Sequence, residues 1–247
     1  MVNFYFVIYK KEKALNSNMK YTFITITNFK KLIAILVLSV LAIIFCISAP
    51  IVYSQTNVYT YSIVIDAGHG GIDGGSEGFN GTKESEINLE YAKTLEQYFK
   101  DFGFKTIMTR SNENGLYSPF ASNKKKDDML KRKQIIENSS PDLVVSIHMN
   151  SFTLSSSRGA QVFYNKDNEN SKLLADQIQK QFVLNLTKAR KTSQSADYYI
   201  LNCTSVPSVI VECGFISNQE EETLLNTSQY REKVCYSILC GVVSYLM

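Results

Sequence analysis

The 247 residues include no tryptophan and only two histidines. Without tryptophan, and with no regular aromatic spacing beside the basic residues, the chain offers no stacking platform for nucleic acid. The five cysteines show no CxxC spacing and no disulfide framework, which excludes a cysteine metal cluster. Cys46 lies in an apolar segment. Cys203, Cys213, Cys235 and Cys240 read as thiols, with one pair in an oxidising compartment as the alternative. A surplus of one charge sign is missing too. The whole chain carries +3, but residues 1–55 hold six of the 26 basic and one of the 23 acidic side chains. The remainder, 20 basic against 22 acidic, stands at −2, so no nucleic-acid partner is expected.

What is present begins with 21 uncharged residues, 32–52, preceded by Lys30 and Lys31. A stretch of about 18 or more such residues suits a membrane span, and the flanking lysines favour a cytoplasmic N-terminus. The same pattern describes a long secretory signal, and small residues at Ser48, Ala49 and Ser54 leave cleavage open. Export is expected either way, with membrane attachment through this segment if it is not cleaved. The chain divides into residues 1–55, an N-region with its signal or anchor, and a single domain over 56–247. One basic run, "KKKDDMLKRK" at 124–133, reads as a solvated loop entering a helix.

Along 56–247, "YSIVID", "FKTIMT", "DLVVSIHMN", "AQVFYN", "DYYILN" and "PSVIVEC" read as strands. Helical spacing marks "ESEINLEYAKTLEQYFKDFGF", ended by Gly103, a stretch near 127–138, "SKLLADQIQKQFVLNL" and the closing "YREKVCYSILCGVVSYL". The alternation predicts an α/β fold: a single three-layer domain with a mostly parallel central sheet flanked by helices.

The glycine loop "IDAGHGG" at 65–71 follows the first strand. It is no P-loop, since Gly75 is followed by Ser76 and Glu77 without a lysine. It is no dinucleotide fingerprint either, since Asp73 stands where a glycine is needed and "GGSEGFNGTKE" runs on as a loop. A metal fits better. His69 and His148 both fall at the C-terminal ends of strands, where open α/β sheets form their crevices. Two histidines leave a zinc site short of a carboxylate. Glu77, Glu84, Glu86 and Glu90 are candidates, and spacing does not choose between Glu84 and Glu86. Glu212, a carboxylate inside the apolar "VIVECGF", is costly there unless paired or used, which suits a general base.

In this order, "IVIDAGHGG", "ESEINLEYAKTLE", "VVSIHMNS", "RGAQVFY" and "PSVIVECGFISN" resemble the zinc-dependent N-acetylmuramoyl-L-alanine amidases of bacterial cell walls, from about residue 61 to 247. The resemblance implies one zinc ion per chain on His69, Glu84 and His148, with Glu212 as the catalytic carboxylate. It implies peptidoglycan as substrate, cut between N-acetylmuramic acid and the L-alanine of the stem peptide. Ala67 departs from the proline usual in the family and removes no ligand. "RGAQVFY" and "DYYILNCTSVPSVIVECGFISN" are most similar to the germination-specific, spore-cortex type, whose product is converted to muramic lactam. That type implies an extracytoplasmic location at the wall or cortex, and leaves room for an extracytoplasmic activator protein. Asp66, Asn150 and Arg158 are further candidates, for orienting a ligand, bonding around the site and meeting substrate. Two other classes share parts of the pattern. A non-catalytic wall-binding scaffold would not need all four site residues, and a zinc peptidase or deacetylase would not predict this order of motifs.

Overall fold

The structure, a computed structural model, describes residues 29–54 and 60–247, with side chains in the first stretch described over 33–45. Two compact units divide the chain, Met1–Tyr59 and Thr60–Met247. The first contains helix α1 (Phe29–Ser54), whose apolar side chains from Ile33 to Phe45 are exposed. Among the described residues, no helix is long and apolar enough to cross a membrane. The signal or anchor expected over 32–52 runs past the described side chains, and residues 1–28 lie outside the described residues.

In the second unit, chain order is β1 (Ser62–Ala67), α2 (Glu84–Phe102), β2 (Lys105–Met108), α3 (Lys124–Ser139), β3 (Leu143–Asn150), β4 (Gln161–Tyr164), α4 (Glu169–Asn185), β5 (Gln194–Ser195), α5 (Tyr199–Asn202), β6 (Ser208–Phe215), α6 (Gln219–Leu225) and α7 (Ser228–Leu246). The strands form one sheet in the order β2-β1-β3-β6-β4-β5, with every pairing parallel except that of β4 with β6. Side chains alternate across a strand. Ile63, Ile65, Val145 and Val211 therefore join the large core beneath α2, α4 and α7, while Val64, Val144 and Ile210 join a smaller one with Ile136 of α3 and Ile200 and Leu201 of α5. This is the three-layer α/β architecture expected, with a mixed sheet.

The chain leaves β1 through α2 on one face to reach β2, then returns through α3 on the other face to β3. Strand order thus reverses at β1 and β3, and the crevice beyond their carboxyl ends is the natural ligand site of such a sheet.

Two local readings differ from the structure. "DYYILN" is not a strand; only Gln194–Ser195 pairs, and Tyr199–Asn202 makes one helical turn. Ile200 and Leu201 are adjacent and both buried in the same small core, which a strand would place on opposite faces. The run "KKKDDMLKRK" lies within α3, which begins at Lys124 under an Asn123 cap. Its lysines are solvated, but Asp128 and Arg132, four apart, turn inward and pair at 2.6 Å. Helical spacing puts them on one face, and that face is the buried one.

Helices α4 and α7 meet at Gly241, where a Cβ atom would stand 2.5 Å from the Cα of Ile178. Gly241→Ala raises helix propensity yet forces the two backbones apart. It is expected to destabilise the domain by about 1–3 kcal/mol, read as a lower urea midpoint.

Candidate metal and catalytic centre

His69 stands two residues past β1 at φ 60°, a left-handed backbone uncommon outside glycine. Glu84 is the first residue of α2, and His148 lies near the end of β3. The fold gathers these three into a group whose ligand atoms all lie within 4.8 Å of one another. Glu84 Oε1 is 2.9 Å from His148 Nδ1 and 3.2 Å from His69 Nε2. Its other oxygen accepts from the backbone N–H of Ser76 at 2.9 Å. Burial alone would raise the Glu84 carboxyl, but hydrogen bonds and charge from His148 and His69 hold it well below the usual carboxylate range. Two imidazoles and one carboxylate, with the imidazole rings 5.0 Å apart, form a donor set suited to zinc with a position left for water or substrate. Glu86, the rival on spacing, is exposed and sits 3.9 Å from Lys83.

A neighbour to which the sequence reading gave no role at the site orients His69. Asp73 lies 3.0 Å from His69 Nδ1 and also faces Lys125 at 3.6 Å. Burial opposes charge on His69, while Glu84 and Asp73 favour it strongly enough to raise the imidazole above its ordinary value. With Nδ1–H given to Asp73, Nε2 faces Glu84 as an available lone pair. The available signal was a carboxylate four residues after a loop histidine. Asn88, one turn beyond Glu84, donates to Glu84 Oε1 at 3.3 Å and to the Gly68 carbonyl at 3.2 Å.

Glu212 is the register partner of His148 in the parallel pairing of β3 with β6, so the two side chains stand side by side on one face. It is 9% exposed, and its Oε2 has no hydrogen-bond partner. Burial, aided by the Glu84 charge and opposed by the histidines, pushes the Glu212 carboxyl up to about 7. A buried carboxylate oxygen without a partner, beside a possible metal, is placed to take a proton from water.

The remaining sequence candidates make other contacts. Asp66 does not bond a histidine: it accepts from Arg132 at 2.6 Å, Ser146 at 2.6 Å and Thr109 at 2.8 Å. Burial would raise its carboxyl, but Arg132 and these hydrogen bonds hold it at about 2. Asn150 ends β3, with its carbonyl accepting from the N–H of Ile216. Arg158 is exposed, 3.6 Å from Glu220. The 151–160 loop that carries Arg158 is tied down by neighbouring groups: Ser217 Oγ takes the Phe152 N–H, Asn218 reaches the Ser155 carbonyl, and Glu221 takes the Gly159 N–H. Phe152 and Leu154 remain exposed on it. All four cysteines of the domain are free thiols.

A family model described as N-acetylmuramoyl-L-alanine amidase matches residues 63–244. The chain is 35% identical over 188 residues to the germination-specific N-acetylmuramoyl-L-alanine amidase of Bacillus subtilis, covering 74% of this chain and 78% of that protein. It is 33% identical to the N-acetylmuramoyl-L-alanine amidase LytC of the same organism, over 74% of this chain and 35% of the relative. Among solved structures it is similar to the CwlD amidase from Clostridioides difficile in complex with the GerS lipoprotein, at 36% identity and TM-score 0.73, covering 76% of this chain and 98% of that one. The catalytic domain of CwlV from Bacillus (Paenibacillus) polymyxa var. colistinus superposes with TM-score 0.67 at 28% identity, covering 76% and 98%.

A Cβ atom at Gly68 would stand 2.3 Å from the His148 ring. Gly68→Ala is therefore expected to displace His148 and weaken metal binding at this group by about tenfold or more, measured with zinc by competition with a chromophoric chelator. A second expectation concerns the metal-free protein. The folded-state value of Glu212 lies above its ordinary 4.5, so its contribution to stability is complete below that value and is lost as pH rises through about 7. With chelator present, Glu212→Gln should be more stable than the parent at pH 8, by up to about 3 kcal/mol, and should lose that advantage below pH of about 4.5. Urea unfolding at both ends of the range reads it.

Proposed function

Because this chain belongs to the N-acetylmuramoyl-L-alanine amidase family, we propose that it is a peptidoglycan hydrolase cutting the amide bond between N-acetylmuramic acid and the L-alanine of the stem peptide. His69, Glu84 and His148 hold one zinc ion, and Glu212 is the general base and acid. The observation that carries this reading is the register of His148 with Glu212, which sets a partnerless carboxylate oxygen beside the His–Glu–His group. Zinc at such a site polarises both a water molecule and the scissile carbonyl. The chain's own residues do the rest. Asp73 fixes the ring of His69, and Asn88 and Ser76 fix the two oxygens of Glu84. Glu212 accepts the proton of the attacking water at Oε2 and returns it to the departing nitrogen of L-alanine. Its raised carboxyl suits both halves of that transfer near neutral pH.

The setting follows from the relatives. One is named as germination-specific and another is in complex with a lipoprotein. Together they support export, action at the wall or spore cortex, and an extracytoplasmic protein partner. Cleavage there would leave muramic acid without its peptide, the form from which muramic lactam is made.

Full-length protein supplied with zinc and peptidoglycan should produce new amino-terminal L-alanine without new reducing sugar ends, and a chelator should stop it. Other new amino ends would indicate a peptidase, and free acetate a deacetylase. Glu212→Ala should keep zinc while turnover falls by about 10²–10⁴-fold; an unchanged rate would remove Glu212 from the mechanism.

A further inference from the structure

Two arginines that the chemistry does not consume are buried beneath the glycine loop, Arg110 at 4% and Arg132 at 1% exposure. Arg132 spends its donors on four groups. Nε pairs with Asp128 at 2.6 Å, Nη1 with Asp66 at 2.6 Å and the Ala67 carbonyl at 2.7 Å, and Nη2 reaches the His69 carbonyl at 2.6 Å. Arg110 donates from Nε to the Ala67 carbonyl at 2.9 Å and from Nη1 to the Asn112 carbonyl at 2.9 Å. Its Nη2 bridges the carbonyls of Gly68 and Ser85, each at 2.8 Å. The carbonyls of residues 67, 68 and 69 thus all point into guanidinium groups. One nitrogen of Arg110 ties the loop that presents His69 to the helix turn that presents Glu84.

Burying two cations is costly unless geometry and partners are good. Here Asp66 and Asp128 balance the charge, and Asp66 is itself held by Ser146 and Thr109. The left-handed backbone of His69 is also strained and persists only where surroundings fix it. The Arg132 bond to the His69 carbonyl supplies such a fix. A flat fork with fixed angles can hold several carbonyls at once, which a lysine ammonium does not reproduce.

We propose that Arg110 and Arg132 are a pair of positioning residues that set the spacing of His69 from Glu84, and so determine zinc affinity rather than serving the fold alone. The proposal rests on the zinc-amidase reading of this site. The two fail separately: absence of zinc binding in the parent protein would sink that reading, whereas unchanged binding in the variants sinks only this one.

The test compares full-length Arg110→Lys and Arg132→Lys with Ile238→Val, a change in the large core away from the loop. Zinc affinity is measured by chelator competition, and stability by urea unfolding without metal. Both lysine variants should lose about 10–100-fold in zinc affinity at temperatures where their metal-free forms remain folded. Ile238→Val should lose stability without that loss of affinity. Zinc affinity within twofold of the parent in the lysine variants would overturn the proposal. Should Arg132→Lys not fold, Arg110→Lys decides alone. Failure of both to fold with zinc present would also overturn it, by assigning the pair a purely structural role.

Discussion

One carboxylate oxygen, Glu84 Oε1, stands where three segments of the chain converge, and the arrangement around it constrains most of the domain. Strand β1 must end where His69 turns back toward it, β3 must bring His148 alongside, and α2 must start at Glu84. The reversal of strand order at β1 and β3 provides the gap for this meeting. Each element also has its own reason to form: apolar runs buried on both faces in β1, β3 and β6, and a buried stripe of Ile87, Tyr91, Leu95 and Phe99 along α2. The packing that satisfies those stripes is the same packing that brings the donors together.

The charged groups divide by depth. Glu84 and Glu212 share one edge of the sheet, yet one is driven strongly toward ionisation and the other toward protonation. The difference lies in partners. Two imidazoles and backbone and amide N–H groups surround the first, whereas the second has an oxygen with none. Two chemically similar side chains thus sit in opposite electrostatic environments, which suits the proposed division between a standing anion and a group that exchanges a proton.

Much of this was legible in the sequence because it depends on local pattern. Alternation marked β1, unbroken apolar runs marked β3 and β6, and the scarcity of histidine left His69 and His148 as the only imidazoles. The choice of Glu84 over Glu86 came from family resemblance, and the structure adds the physical reason: the first residue of α2 faces the loop, while the third faces solvent. Asp73, Arg110 and Arg132 were not legible. Their roles depend on which way a loop turns and which helix face is buried, and neither is encoded in spacing along the chain. The charges of "KKKDDMLKRK" hid the buried pair because its five lysines outnumber it. The single helical turn at Tyr199–Asn202 escaped notice because its apolar and aromatic residues are also good strand formers.

Strand β4 runs against its neighbour, so the chain passes from the end of β3 to the start of β4 without leaving the edge that carries His148 and Glu212. No crossover helix is needed, and the intervening loop carries neither a proposed ligand nor the proposed catalytic carboxylate. Its anchors, Ser217, Asn218 and Glu221, lie just past β6, so the span is moored beside the strand that carries Glu212. Donors and border are assigned to different parts of the polypeptide: a glycine loop, a helix start and a strand end hold His69, Glu84 and His148, and a moored span closes the edge beside them.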